Sequence, residues 1–348
     1  MHLIVILLLI TIYLLYRIYC NGIYDSISKK EYTYLTYILI FAIGFRGEGV
    51  DNDYSAYAAS ISSFIAISEP TFLLIASIIK IFGLPVVILF VIYSFIGVYY
   101  KMRAINRLSP LPLVSIIIYL SNIILLQDIN QIRAGAATAI FLIAIPYLLQ
   151  GNRKKFILLI SIASLFHFSA LLYFIILFID NKEFSYRQYI FWTILPILGY
   201  TFYFIFDQSI IELIPIDSIK DKLLMYKTLQ NSGTDGYANI NLFNPYFLFK
   251  LVIYYLLIEF YYSLNRNNKN FTLYLKIYGI SIFIFPALGA ITPILGYRSS
   301  DLFACIEILL FPYLFTLFKG DNIKVCCISF YFVLLFSINI LYKHLIHL

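Results

Sequence analysis

Residues 132–155 read IRAGAATAIFLIAIPYLLQGNRKK. Between 132 and 149 the only charge is Arg133, and Arg153, Lys154 and Lys155 follow directly. At about 1.5 Å of rise per residue, an 18-residue helix spans about 27 Å, close to the ~30 Å of bilayer hydrocarbon. Apolar on every face and closed by a basic cluster, the stretch reads as a membrane span that ends on the cytoplasmic side. The same pattern recurs along the chain. Apolar runs at 3–19, 32–45, 85–100, 112–127, 132–149, 189–206, 245–264, 273–296, 302–318 and 325–343 predict about ten spans. The fold class expected is an all-α polytopic integral membrane protein, one transmembrane domain over 1–348.

Composition agrees. Of 348 residues, 62% are hydrophobic and 12% charged, against roughly 45–50% apolar and ~25% charged in soluble chains. A mean hydropathy of +0.88 excludes a secreted enzyme, a cytosolic enzyme and a disordered scaffold. The net charge of +7 marks cytoplasmic loops and gives no reason to expect a nucleic-acid partner. Cys20, Cys305, Cys326 and Cys327 have no metal-binding spacing and read as small apolar residues. The apolar start lacks a basic n-region and a small-residue cleavage site, so it reads as a retained span.

Charge sets the expected topology. Lys29 and Lys30; Lys101, Arg103 and Arg107; Arg153, Lys154 and Lys155; Lys182 and Arg187; Arg266 and Lys269; Lys319 and Lys324 are all placed inside. That arrangement requires residues 69–82 to form a short outer-face helix that does not cross. Residues 156–179, interrupted by His167, must then re-enter or cross twice as short helices. Irregular backbone at membrane depth needs surrounding protein or a water-filled cavity. Two large outer loops result, 46–84 and 207–244, with a short third loop, GYRSSD, from Gly296 to Asp301 and both termini outside.

Arg46, Arg133 and Arg298 then lie at outer span ends, against the charge bias, each with acids nearby: Glu48, Asp51 and Asp53; Asp128; Asp301. A guanidinium forks onto phosphate oxygens and stays charged, so three could clamp a diphosphate. They could equally form Arg–Asp pairs that tie helix ends. Asp53 reads either as a general base or as the N-cap of a helix from Tyr54. His167, far from other charges in sequence, reads as a hydrogen-bond donor or proton acceptor. Glu259 is a candidate partner for Lys250 or Lys276. The 32 Tyr and 32 Phe suit interface belts and permit stacking on sugars. No P-loop, GxGxxG, metal cluster or Ser–His–Asp spacing occurs, so no cofactor and no metal are expected.

These residues carry a resemblance. FRGEGVDNDYSAYAASI, followed by EPTFLLIASIIKIFG, is similar to the Arg, Asp, Tyr and Glu-Pro block of the EpsG-type Wzy polymerases, through Arg46, Val50, Asp53 and Tyr57. NQIRAGAATAIFLIAIPYLLQGNRKKFILLISIASLFHFSALLYF resembles the family's Arg-x-Gly span and Phe-His-x-Ser-Ala segment through Arg133, Gly135, His167 and Ser169. YRSSDLFACIEILLFP resembles its late block through Arg298. The resemblance implies a metal-independent glycosyltransferase of O-antigen, capsule or exopolysaccharide synthesis. It would join undecaprenyl-diphosphate-linked oligosaccharide repeats at the periplasmic face of the bacterial inner membrane. Its partners would be that lipid-linked substrate, membrane lipids and a chain-length regulator. Asp53 and His167 would be the catalytic candidates, with Arg46, Arg133 and Arg298 on the diphosphate. Tyr57, Asp51 and Asp301 would contact substrate. The short interrupted helices are similar to those of GT-C-class glycosyltransferases. A lipid-linked-oligosaccharide flippase and an O-antigen ligase are the competing activities.

Overall fold

In this computed structural model, residues 2–63, 69–205, 217–232, 241–266 and 270–347 are described. Among them the chain is helical, with one isolated antiparallel bridge between Asp51 and Ile346. Eight helical stretches are long and apolar enough to cross a bilayer: His2–Asn21, Val87–Leu108, Pro112–Asn130, Ile132–Leu149, Tyr186–Ile205, Phe271–Gly289, Pro293–Thr316 and Asp321–Tyr342. The other two apolar runs form shorter helices of 16 and 15 residues, Lys29–Gly44 and Pro245–Glu259. The chain is a polytopic membrane protein whose sequence predicted ten spans and whose structure contains eight full-length ones among the described residues.

The chain divides into two compact units, Met1–Leu177 with Glu307–Leu348, and Phe178–Ile306. In the first unit α1 (His2–Asn21) is followed by α2 (Lys29–Gly44). A capping box starts α2: Ser28 Oγ accepts the Glu31 N–H and Glu31 accepts the Ser28 N–H. Two short helices come next, α3 (Tyr54–Ser63) and α4 (Pro70–Ile81). Pro70 at the first turn starts α4, where a missing N–H costs nothing. At 12 residues α4 is too short to cross, as expected for 69–82. α5 (Val87–Leu108) and α6 (Pro112–Ile118) follow, and α6 continues as a π-helix over Tyr119–Asn130. α7 (Ile132–Leu149) precedes α8 (Arg153–Phe166), which stops at His167, whose backbone is extended at φ −155°, ψ 115°. A 3-10 helix then runs over Phe168–Phe178, so 156–179 does form two short helices broken at His167.

Two glycines, Gly97 on α5 and Gly135 on α7, let the Gln127–Asp128 stretch of the π-helix pack closely against both helices. A Cβ on Gly97 would collide with Asp128 Oδ1, and one on Gly135 would lie 2.5 Å from the Gln127 carbonyl. In that contact Lys101 Nζ donates to Asp128 Oδ1 at 2.7 Å and to the Gly135 carbonyl at 3.0 Å. Tyr119 donates to Asp128 Oδ2 at 2.7 Å. Lys101 was expected among the cytoplasmic loop charges, and Asp128 beside Arg133. The structure instead buries both inside the helix packing as an ion pair.

The second unit holds α9 (Tyr186–Ile205), α10 (Asp217–Asn231), α11 (Pro245–Glu259), α12 (Tyr261–Asn265), α13 (Phe271–Gly289) and α14 (Pro293–Ala304). The run read as 273–296 ends at Gly289, because Pro293 opens a new helix. The expected third loop, GYRSSD, therefore lies inside α14. Of the loop expected at 207–244, α10 is described and the remainder mostly is not. Lys276 pairs with Asp180 at 2.6 Å, not with Glu259, and Lys250 lies 4.7 Å from the Tyr246 ring centroid. α15 (Glu307–Leu310), a 3-10 turn and α16 (Asp321–Ser337) return to the first unit.

Candidate functional site

The first unit gathers two charged clusters around α3. One is built on Arg46, just past the end of α2. Its Nε donates to Asp51 Oδ2 at 2.5 Å, Nη1 to the Ile43 carbonyl at 3.0 Å and Nη2 to the Ile129 carbonyl at 2.6 Å. The guanidinium also lies 4.4 Å from the Phe90 ring centroid. Both side chains of this pair are 0% exposed. Arg46 thus joins the α2 end, the 46–53 loop and the end of the π-helix.

The same loop is tied down from the other side. Asn52 Nδ2 donates to the His344 carbonyl at 2.9 Å, and the His347 N–H donates to the Val50 carbonyl at 2.9 Å. Gly49 supports the turn with φ +79°. Asp51 Oδ1 accepts the Asp53 N–H at 3.0 Å. The Asp53 carbonyl accepts the Tyr57 N–H at 3.0 Å, as an N-cap residue's does. Asp53 is half-buried at the head of α3.

The second cluster joins residues far apart in sequence. Arg133, in the first turn of α7, donates through Nη1 to Glu69 Oε2 at 2.5 Å. The other oxygen of Glu69, Oε1, lies 3.3 Å from His167 Nδ1. Tyr57 completes the group, its ring centroid 5.7 Å from the Arg133 guanidinium carbon. Glu69 is nearly closed off at 5% side-chain exposure, whereas Arg133 and His167 keep 20% and 14%. The Arg133 Nε is buried and has no hydrogen-bond partner among the described residues. Burial pushes the Glu69 carboxyl up, but the His167 hydrogen bond and the Arg133 charge outweigh it and hold it at about 2. Glu69 is therefore an anion between two cationic or cation-capable groups at neutral pH.

Each member has a local reason for its position. Pro70 forces the chain to turn into α4, which leaves Glu69 extended at its N-cap with φ −68°, ψ 130°. The extended backbone of His167 ends α8, its N–H donating to the Ala163 carbonyl. Thr71 Oγ1 donates to the Leu165 carbonyl at 2.8 Å and locks α4 onto the end of α8. Aromatic rings wall the group: Tyr57 lies 6.0 Å from Phe72, and Tyr93 meets Phe166 edge to face.

Of the residues selected from sequence, Arg133, His167 and Tyr57 come together, and Arg46 joins Asp51. Arg298 is exposed on α14 in the second unit and has no ion-pair partner among the described residues; Asp301 follows one turn later. Glu69 was not singled out for chemistry. Its signal was the Glu-Pro step, which reads first as a helix start. Among the described residues no group of three His, Cys, Asp or Glu side chains is arranged to hold a metal ion.

The model of one protein family, the EpsG family, matches residues 29–347, which contain both clusters. No curated protein and no solved structure matches the chain.

Proposed function

The chain belongs to the EpsG family, whose function is of the polysaccharide-polymerase type, and from that membership we propose that it joins lipid-linked oligosaccharide repeats. The donor would be a growing chain on undecaprenyl diphosphate and the acceptor the next lipid-linked repeat, met at the periplasmic side of the inner membrane. The observation that carries this reading is the Arg133–Glu69–His167 cluster: a partly exposed guanidinium beside a partly exposed imidazole, held by one buried carboxylate. Ionisable groups set among apolar helices at such cost are functional by default.

In this mechanism an acceptor hydroxyl oxygen attacks the anomeric carbon of the donor chain. The bond from that carbon to the diphosphate oxygen breaks, and the lipid diphosphate leaves. Arg133 meets the charge that develops on the leaving oxygens. The hydroxyl proton passes to His167, with Asp53 as the competing acceptor. Arg46 acts indirectly, since its guanidinium is fully buried and engaged by Asp51 and two carbonyls; with Asp51 it positions the Asp53–Tyr57 segment. Arg298, with Asp301 in the next turn, is assigned a phosphate contact on its own unit.

The test uses purified protein in lipid nanodiscs with lipid-linked repeat extracted from a polymerase-deficient strain. Polymer ladders on the lipid are expected. Arg133→Lys should lower turnover about tenfold to hundredfold, the worth of ~1.5–3 kcal/mol in a charge-assisted contact that a point charge does not reproduce. Transfer to a different acceptor with no elongation would identify a ligase. Transbilayer movement of intact repeats without product would identify a flippase.

A further inference from the structure

Glu69 connects the two chemical tasks of the cluster, and its two oxygens are divided between them. Oε2 accepts from Arg133 and Oε1 faces His167 Nδ1. An arginine engaged by a carboxylate is partly neutralised, so a diphosphate must compete with Glu69 for the guanidinium. When Nδ1–H points at a carboxylate, the lone pair of a neutral imidazole lies on Nε2, the nitrogen that can then take a proton. The paired carboxylate also stabilises the imidazolium that forms.

Resting on the polymerase reading above, we propose that Glu69 is a positioning residue that couples donor binding to the proton acceptor. Before the donor arrives, the Glu69 charge is shared between Arg133 and His167. Once the diphosphate takes Arg133, that charge acts on His167 alone, and the imidazole becomes a stronger base only when a donor is in place. The acceptor hydroxyl proton moves to Nε2 as its oxygen bonds to the anomeric carbon. The diphosphate departs with the electron pair of the broken bond, and the proton later returns to water. Among the described residues, the other titratable groups that face Glu69 and Arg133 include Tyr57 from α3 and Tyr93 from α5, which lies within electrostatic range of both. Both are phenols, and neither supplies the charge that Glu69 does.

The experiment compares wild type with Glu69→Gln, which keeps the shape and one acceptor oxygen but removes the charge. In wild type, the acid limb of the kcat profile, which reports the donor complex, should lie at higher pH than that of kcat/KM, which reports the free enzyme. In Glu69→Gln the two limbs should coincide, both displaced to lower pH by about one unit, the size of an opposite-charge effect. Undecaprenyl diphosphate, measured by direct binding, should bind Glu69→Gln about tenfold more tightly, since Arg133 has lost its competitor. A merely structural role gives the reverse: weaker binding and unmoved limbs. Either of those results overturns the proposal.

Should Glu69→Gln fail to assemble, Glu69→Asp keeps the charge and decides the matter. It should elongate slowly with the two limbs still separated, and limbs that coincide in it refute the coupling. The binding arm needs no turnover. A wild type that binds the diphosphate lipid but never elongates defeats the polymerase reading alone, and unchanged affinity in Glu69→Gln defeats the Glu69 proposal alone.

Discussion

Replacing Asp128 with Asn should destabilise the protein far more than its single lost charge suggests. Asp128 is 1% and Lys101 0% exposed, and their Nζ–Oδ1 distance is 2.7 Å. The amide of Asp128→Asn keeps one acceptor oxygen, for Lys101, and sets its NH2 against the Tyr119 hydroxyl, which must then accept instead of donate, so the shape of the packing hardly changes. What is lost is the countercharge of an ammonium in the middle of a helix contact. Breaking one half of a buried pair costs about 3–5 kcal/mol, because the remaining charge is left uncompensated. The Lys101 side chain is wholly enclosed, and its ammonium also donates to the Gly135 carbonyl, so the charge stays inside the helix contact. Lys101→Met should cost a similar amount by stranding the carboxylate. The double variant, Lys101→Met with Asp128→Asn, carries no charge and should recover at least about half of the sum of the single losses. At about 2–4 °C per kcal/mol for a unit of this size, each single variant should melt about 6–20 °C below wild type. Circular dichroism melts in one detergent would read this. Single losses below about 1 kcal/mol, or a double variant equal to the sum, would refute the reasoning, because the pair would then behave as a solvated surface bridge.

Asp53→Asn and His167→Ala separate the two proton acceptors: the true base should lose about 10²–10⁴ in turnover while still binding the lipid-linked donor, and retention of activity by both would leave catalysis to Arg133. In a background lacking Cys20, Cys305, Cys326 and Cys327, a cysteine at Ser232 should react with an impermeant thiol reagent in spheroplasts and one at Asn152 should not, since both positions are exposed and charge places 150–155 inside; labelling at Asn152 would overturn that topology. Glu69 makes stability fall with acid: its carboxyl is held at about 2, below the unfolded value, so the stabilisation is complete above about pH 5 and is lost as pH drops toward 2. Melting temperatures across that range should fall in wild type, and the part due to this group should vanish in Glu69→Gln.

The helical membrane architecture was legible because the bilayer imposes a length and a polarity that any apolar run must meet. The break at His167 was legible for the same reason, as a polar residue in the middle of a run that length alone would make one helix. Lys101 was misread because charge counting looks only along the chain, where KMRAINR resembles any cytoplasmic cluster. Its burial depends on α7 and the π-helix, and the one local trace is Gly97, four residues earlier on the same helix face. The π-helix itself has no sequence period that separates it from an α-helix. Arg46 and Asp51 could be paired by proximity, whereas Glu69 meets partners 64 and 98 residues away, and no periodicity registers such a meeting. Even so, DNDYSAY contained more than a carboxylate. Tyr54 and Tyr57 stand three apart, hence on one face of α3, and they reach different arginines: Tyr54 lies 6.0 Å from Arg46 and Tyr57 5.7 Å from Arg133. Phe90 stacks on Tyr54 at 4.2 Å and also covers Arg46. A rotation of α3 therefore cannot move against one arginine without moving the wall of the other, so the clamped loop below Asp53 sets the shape of the aromatic wall beside Arg133.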